Sequence, residues 1–305
     1  MRGILESAGR GMRAALANPV LLLAPLAVAL FTLLSFALPL LALFAFAYES
    51  LPPLSEATPQ SVLLALLDPL EKAIRAPAVL LITLVALTIL ITLLFAAAGF
   101  ARAGLFGVLI RADAQAPSGA SRSAFRVPSS LRVFLAAGGR YGWRFFWILN
   151  LNALAVCVLL LPLLLGAVAL LAGFANGHIV PGLLLLVLGL PIALAGGIAI
   201  RLVQLAVERE TLARNLTVRE GVTRGLRRLR ETLVGSLCLF LLYMAAAMVV
   251  GGLFSAPRML LLLAYHGSGW SLGAGAVLTV LQALAVGALD LVSTASFVSL
   301  WAEEP

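Results

Sequence analysis

Ala137-Gly138-Gly139-Arg140-Tyr141-Gly142-Trp143-Arg144-Phe145-Phe146-Trp147 marks the point where a basic stretch becomes an apolar one. No Asp, Glu, Lys or Arg follows Arg144 until Arg201. An apolar run of 18 or more residues reads as a membrane-crossing helix, because about 20 residues at 1.5 Å each cover a hydrocarbon layer ~30 Å thick. The same event, arginine followed by a long apolar run, recurs along the chain.

Composition agrees. Of 305 residues 62% are hydrophobic and 11% charged, and the mean hydropathy is +1.10. A soluble domain of this length is excluded. A net charge of +8 would point to nucleic acid in a soluble protein, but here the location of the charge carries the information, and no nucleic-acid role is expected. Lys72 is the only Lys among 21 basic residues, which fits a GC-rich bacterial coding bias.

The expected fold is all-α: a polytopic membrane helical bundle forming one integral membrane domain over 1–305. Spans fall near 20–47, 77–101, 145–172, 182–206, 232–256 and 271–300. The first of these ends in a signal-like Ala45-Phe46-Ala47, yet is far longer than a signal core of roughly 7–15 residues, so it reads as an uncleaved span. Pro162 predicts a kink in the third span and Pro257 a break or bend at the end of the fifth, while Gly189, Pro191 and Gly196-Gly197 interrupt the fourth. The largest connections, 102–144 and 207–231, read as cytosolic loops. Short amphipathic helices are expected on that side. Within 1–19, Ile4, Leu5, Ala8, Met12, Ala15 and Leu16 form an apolar stripe suited to the headgroup region. Ser129 or Ser130 starts another with face Leu131, Phe134, Leu135 and Gly138. Thr217-Val218-Arg219-Glu220 fits a capping box, followed by a stripe of Val218, Val222, Leu226, Leu229 and Leu233. A further interfacial helix is expected around Leu63–Leu70.

Orientation follows from the basic residues. The N-terminal segment, 102–144 and 201–231 hold 18 of the 21; only Lys72, Arg75 and Arg258 lie on the other side. Positive residues stay in the cytoplasm, so both termini are expected there, in a bacterial cytoplasmic (inner) membrane. Three Arg-flanked stretches precede outward spans: Arg10-Gly11-Met12-Arg13, Arg140-Tyr141-Gly142-Trp143-Arg144 and Arg224-Gly225-Leu226-Arg227. They suggest a threefold repeat of an amphipathic helix plus a helical hairpin.

Candidate functional residues are those out of place in hydrocarbon. Asp290 is the sharpest, about 18 Å of helix before Glu303 at 1.5 Å per residue; an ionisable residue inside a membrane is a functional hypothesis by default. Arg102, Arg201 and Gln204 occupy comparable positions on other returning spans. Three readings stay open: Asp290 pairs with Arg102 or Arg201 and pins the bundle, the cluster conducts protons or anions, or Asp290 faces a water-filled vestibule. Arg219, Arg224, Arg227, Arg228 and Arg230 form a candidate face for anionic lipid headgroups. Ala96–Gly99, Ala103, Gly104 and Gly107, with Gly269, Gly273, Ala283 and Gly287, supply small-residue packing surfaces, open to internal packing or a homo-oligomer face. Trp143, Trp147, Tyr141, Trp270 and Trp301 fit aromatic belts.

Cys157 and Cys238 lie in apolar runs without metal-type spacing and read as small buried hydrophobes. His178 and His266 each stand alone. Walker, His-Glu-x-x-His, Gly-x-Ser-x-Gly and Cys-x-x-Cys patterns do not occur, so neither catalytic residues nor cofactor or metal sites are expected. Glu208-Arg209-Glu210 and Glu220 read as salt-bridge partners of the surrounding arginines.

The return at Ile200-Arg201-Leu202-Val203-Gln204-Leu205-Ala206-Val207-Glu208, the basic helix 217–231 after it, and Ala17-Asn18-Pro19 carry a resemblance at the level of layout. The chain resembles the six-span membrane region attached to bacterial glycerophosphodiester phosphodiesterases and related stand-alone membrane families. The resemblance implies a six-span bundle. It implies no phosphodiesterase activity, since the soluble catalytic domain is not part of this sequence. The expected role is a scaffold, assembly partner or accessory subunit; the alternative is a permease for a small or lipid-like substrate.

Overall fold

A computed structural model describes residues 2–22, 77–116, 121–176, 179–264 and 269–302. Most of the span expected at 20–47 and the interfacial helix around 63–70 lie outside the described residues. So do His178 and His266. The chain divides into two compact units, 1–26 with 99–305, and 27–98.

Among the described residues all regular structure is helical. The main helices are α1 (Arg2–Ala17), α2 (Pro77–Gln115), α3 (Ser130–Asn176), α4 (Val180–Ala213), α5 (Val218–Glu231), α6 (Leu233–Ala264) and α7 (Gly269–Leu300), with 3-10 turns at Pro19–Leu22 and Arg122–Phe125. Five of them, α2, α3, α4, α6 and α7, are long and apolar enough to cross a membrane. The helices continue through Pro162, Pro191 and Pro257, so Pro257 does not end its helix. In the smaller unit, residues 77–98 are the apolar first part of α2, with Leu81, Val85 and Ile89 outward.

The expected cytosolic loop at 102–144 is largely helix. Its first part belongs to α2, and Ser130–Arg144 runs without interruption into the third span. At 1.5 Å per residue the 47 residues of α3 extend about 70 Å, more than twice a ~30 Å hydrocarbon layer, so one end must stand clear of it. That end packs antiparallel on α2. Phe134 fills the space over Gly104, Ala137 sits on Gly107, and Gly142 lies over the Phe100 backbone. Leu131 and Leu135 are exposed. The buried face follows the small residues because they let two backbones approach closely.

Small residues also make the close contacts of α1 and α5. In α1 the buried positions are Ser7, Arg10, Gly11, Ala14 and Ala15, while Leu5, Met12 and Leu16 face outward. Gly11 sits so close to α7 that an added Cβ would lie 2.6 Å from Ser296 Cα. In α5 the buried positions are Gly221, Gly225 and Leu229, with Leu226 47% exposed. Gly221 meets Thr211 and Gly225 meets Val207 on α4, which makes α4 and α5 an antiparallel hairpin.

Its turn is specified locally. Asn215 adopts the left-handed conformation (φ 53) that Asn tolerates better than most residues. Leu216 N donates to Thr211 O and Asn215 N to Leu212 O, the paired closure of a Schellman motif. Thr217 and Glu220 then form the reciprocal capping box. The α3–α4 hairpin is also built on small residues: Gly182, Gly189 and Gly196, seven apart, face Leu170, Leu163 and Leu159. These glycines do not interrupt the span; they form its contact stripe.

Candidate functional site

The four out-of-place residues lie in one hydrogen-bonded chain, with a fifth that sequence reading placed elsewhere. Arg102 on α2 grips Glu208 on α4 with two prongs, Nε to Oε1 at 2.7 Å and Nη2 to Oε2 at 2.5 Å. Gln204 donates from Nε2 to Glu208 Oε1 at 2.8 Å. Its own Oε1 accepts from Arg201 Nη1 at 3.3 Å. Arg201 Nη2 reaches Asp290 Oδ1 on α7 at 2.5 Å. Three helices distant in sequence are thus joined by two cations, two anions and an amide.

Helical spacing explains why α4 forms the hub. Arg201, Gln204 and Glu208 are at i, i+3 and i+7, one above another on a single face. That spacing was present in the sequence; Glu208 was assigned to the basic loop because Arg209 and Glu210 follow it. The Glu208 side chain is fully buried and Arg102 nearly so, whereas Asp290 is 44% exposed. A paired charge in a low-dielectric interior is tolerable only when its partners are well placed, and a bidentate arginine–carboxylate contact provides that. Glu210 is buried beside Arg209 and also takes Arg214 at 3.1 Å.

A second polar layer ties the helix ends. Arg10 bonds Asp113 at 3.0 Å and Ala116 O at 3.3 Å, just past α2. Arg144 donates to Leu216 O and Asn215 Oδ1, both at 2.9 Å, just past α4. Arg228 donates to Trp301 O at 2.5 Å, just past α7. Each guanidinium satisfies carbonyl or side-chain acceptors where a helix has run out of its own donors. Asn18 bridges the Phe125 carbonyl and the Val127 amide, with Arg10 and Arg13 over the Phe125 ring at 5.9 and 5.8 Å. The layout reading of Ala17-Asn18-Pro19 did not contain this clamp.

Of the candidate lipid-facing arginines, Arg219, Arg227 and Arg230 are exposed, Arg224 is half-buried, and Arg228 is committed to Trp301. Trp301, expected at an aromatic belt, is fully buried; its Nε1 donates toward Thr232 and Ser236. Trp143 and Trp147 do face outward. Cys157 and Cys238, expected buried, are free and exposed. Gly99, Gly104 and Gly107 serve internal packing.

A groove of about 330 Å³ lies between α3 and α4, with Ile148, Asn152, Ala155, Ala199, Val203 and Val222 among its lining. The α5 capping box stands outside the spans. There the Thr217 backbone amide, its hydroxyl and Arg224 hold the Glu220 carboxyl below its ordinary value of 4.5.

Neither a protein-family model, nor a curated protein, nor a solved structure matches this chain.

Proposed function

We propose that the chain is a non-enzymatic scaffold or assembly partner in a bacterial cytoplasmic membrane, with six spans and both termini cytosolic. The observation that carries this reading is the chain Arg102–Glu208–Gln204–Arg201–Asp290. Each of its four charges is neutralised by a neighbour of opposite sign, which braces three helices against each other and leaves none of the four unpaired for a cargo ion. The concentration of Arg on one set of connections supports the orientation.

The same reading takes the molecule as three copies of one plan, an amphipathic helix and two spans. Its support is a pair of rules, each obeyed three times. The glycine of each Arg-flanked motif meets a span returning from the preceding copy: Gly142 meets Phe100, Gly225 meets Val207, and Gly11 meets Ser296, so the first copy closes on the last. An arginine in or beside each motif bonds the carbonyl just beyond its own copy's returning span: Arg10 to Ala116, Arg144 to Leu216, Arg228 to Trp301. The likeness to the six-span region of the phosphodiesterase-linked families belongs to this proposal, as bundle and not as catalyst.

A permease for a small or lipid-like substrate is the second reading, favoured by the partial exposure of Asp290. Affinity purification from native membranes separates the two. A scaffold brings down a stoichiometric partner or a further copy of itself. A solitary monomer, together with substrate flux in proteoliposomes that Asp290→Asn abolishes, would replace the scaffold with a permease.

A further inference from the structure

The groove between α3 and α4 has an apolar wall and a basic mouth. It runs from Ile148 and Val222 at the end near the 214–217 turn to Ala155 and Ala199 at the other, about 10 Å along α3 at 1.5 Å per residue. Its volume, about 330 Å³, falls within the range of pockets that hold small ligands. Leu151 in its wall and Leu154 beside it are exposed, so it opens toward the surroundings of the bundle rather than into its core.

Arg144 stands one helical turn before Ile148, and Arg219 one turn before Val222, so both lie at the turn end of the groove. Arg219 is exposed. Arg144 uses only Nη1 on Asn215 and Leu216, which leaves further N–H donors free of that contact. The groove surface itself is almost wholly apolar, which suits hydrocarbon and leaves recognition of a headgroup to the two arginines.

We propose that this groove seats one acyl chain of an anionic phospholipid, with its phosphate at Arg144 and Arg219. The inference rests on the membrane placement proposed above and adds a defined lipid to it.

The test uses the full chain purified in detergent and titrated with phosphatidylglycerol or phosphatidylcholine, with bound lipid read by native mass spectrometry. Wild type should retain one phosphatidylglycerol in preference to phosphatidylcholine. Ala199→Phe, which fills the groove from an exposed wall, should lose it, whereas Leu154→Phe, outside the groove, should keep it. Arg219→Gln should weaken it about fivefold, the effect of one arginine at an anionic surface. Should Ala199→Phe fail to fold, Ala155→Phe fills the opposite wall and is read the same way. Equal retention by wild type and the filled variant, or equal retention of the two lipids, overturns the groove assignment. Flotation with vesicles reads the placement separately: wild type that fails to float sinks the placement, while normal flotation with no variant effect sinks the groove alone.

Discussion

Arg102 and Glu208, 106 positions apart, are joined by two parallel hydrogen bonds while the Glu208 side chain is fully enclosed. Neither charge has water to fall back on. Removing one partner leaves a buried ion uncompensated, which costs about 3–5 kcal/mol. Arg102→Met is therefore expected to lower the unfolding midpoint in detergent sharply. Arg102→Met combined with Glu208→Leu should recover much of that loss, because hydrophobic replacement of a whole buried pair is often neutral. Thermal or denaturant unfolding of the two singles and the double checks this. Additive losses would mean that the pair is not the coupled unit described here.

Gly11 and Gly9 make an internal control for the close crossing of α1 on α7. A Cβ at Gly11 would lie 2.4 Å from the Ser296 backbone nitrogen, whereas at Gly9 the nearest atom is the tip of Arg13 at 3.9 Å. Alanine is the better helix former by up to ~1 kcal/mol, so Gly9→Ala should hold or raise stability. Gly11→Ala should instead cost about 1–3 kcal/mol, the usual penalty of overpacking. Paired melting curves decide it.

These glycines also show what could be read from the residues and what could not. Five long apolar helices were legible because hydrophobic runs need no partner to be recognised. The faces by which the amphipathic helices pack could not be read from the residues, because those faces centre on glycine and alanine and not on large apolar side chains. Where lipid surrounds the bundle, Leu5, Met12, Leu135 and Leu226 lose nothing by facing out, and glycine and alanine gain by letting backbones meet. Cys157 and Cys238 were expected inside from the usual burial of cysteine and are exposed. Asp290, Arg102, Arg201 and Gln204 were visible as polar residues in apolar runs. Glu208 was hidden by its charged neighbours, although its spacing from Arg201 places it on the same face.

The outward cysteines give a direct test of the solvent. Cys157 and Cys238 are free and exposed, yet each lies well inside a long apolar helix. An apolar, membrane-soluble maleimide should label both in intact vesicles, and a charged one neither until detergent is added. Rapid labelling by the charged reagent in vesicles would place these faces in water.

The capping box predicts a pH response confined to the start of α5. Hydrogen bonds from the Thr217 amide and hydroxyl, with the Arg224 charge, lower the folded-state pKa of Glu220. A depressed carboxylate contributes stability that is complete above its unfolded value and lost as pH falls through the folded one. Amide exchange over 217–222 should therefore be slow at neutral pH, after correction for intrinsic rates, and lose protection only below the ordinary carboxyl value of 4.5. Glu220→Gln should flatten that dependence. Exchange insensitive to pH in wild type would remove the carboxylate from the cap.

The three helix-end arginines test the threefold plan by equivalence. Arg10, Arg144 and Arg228 each bond a carbonyl just beyond a returning span, and a hydrogen bond from a charged donor contributes about 1.5–3 kcal/mol. If the three copies share one design, Arg10→Gln, Arg144→Gln and Arg228→Gln should each cost a comparable amount and raise amide exchange at the matching helix end: 113–116, 213–216 or 299–302. Arg10→Gln should cost the most, since it also releases Asp113. Arg132→Gln, on the exposed side of α3, should change little. Losses scattered across the molecule, or one arginine carrying nearly all the effect, would favour three unrelated contacts over a repeated one. Comparable local losses would mean that each copy closes its own end.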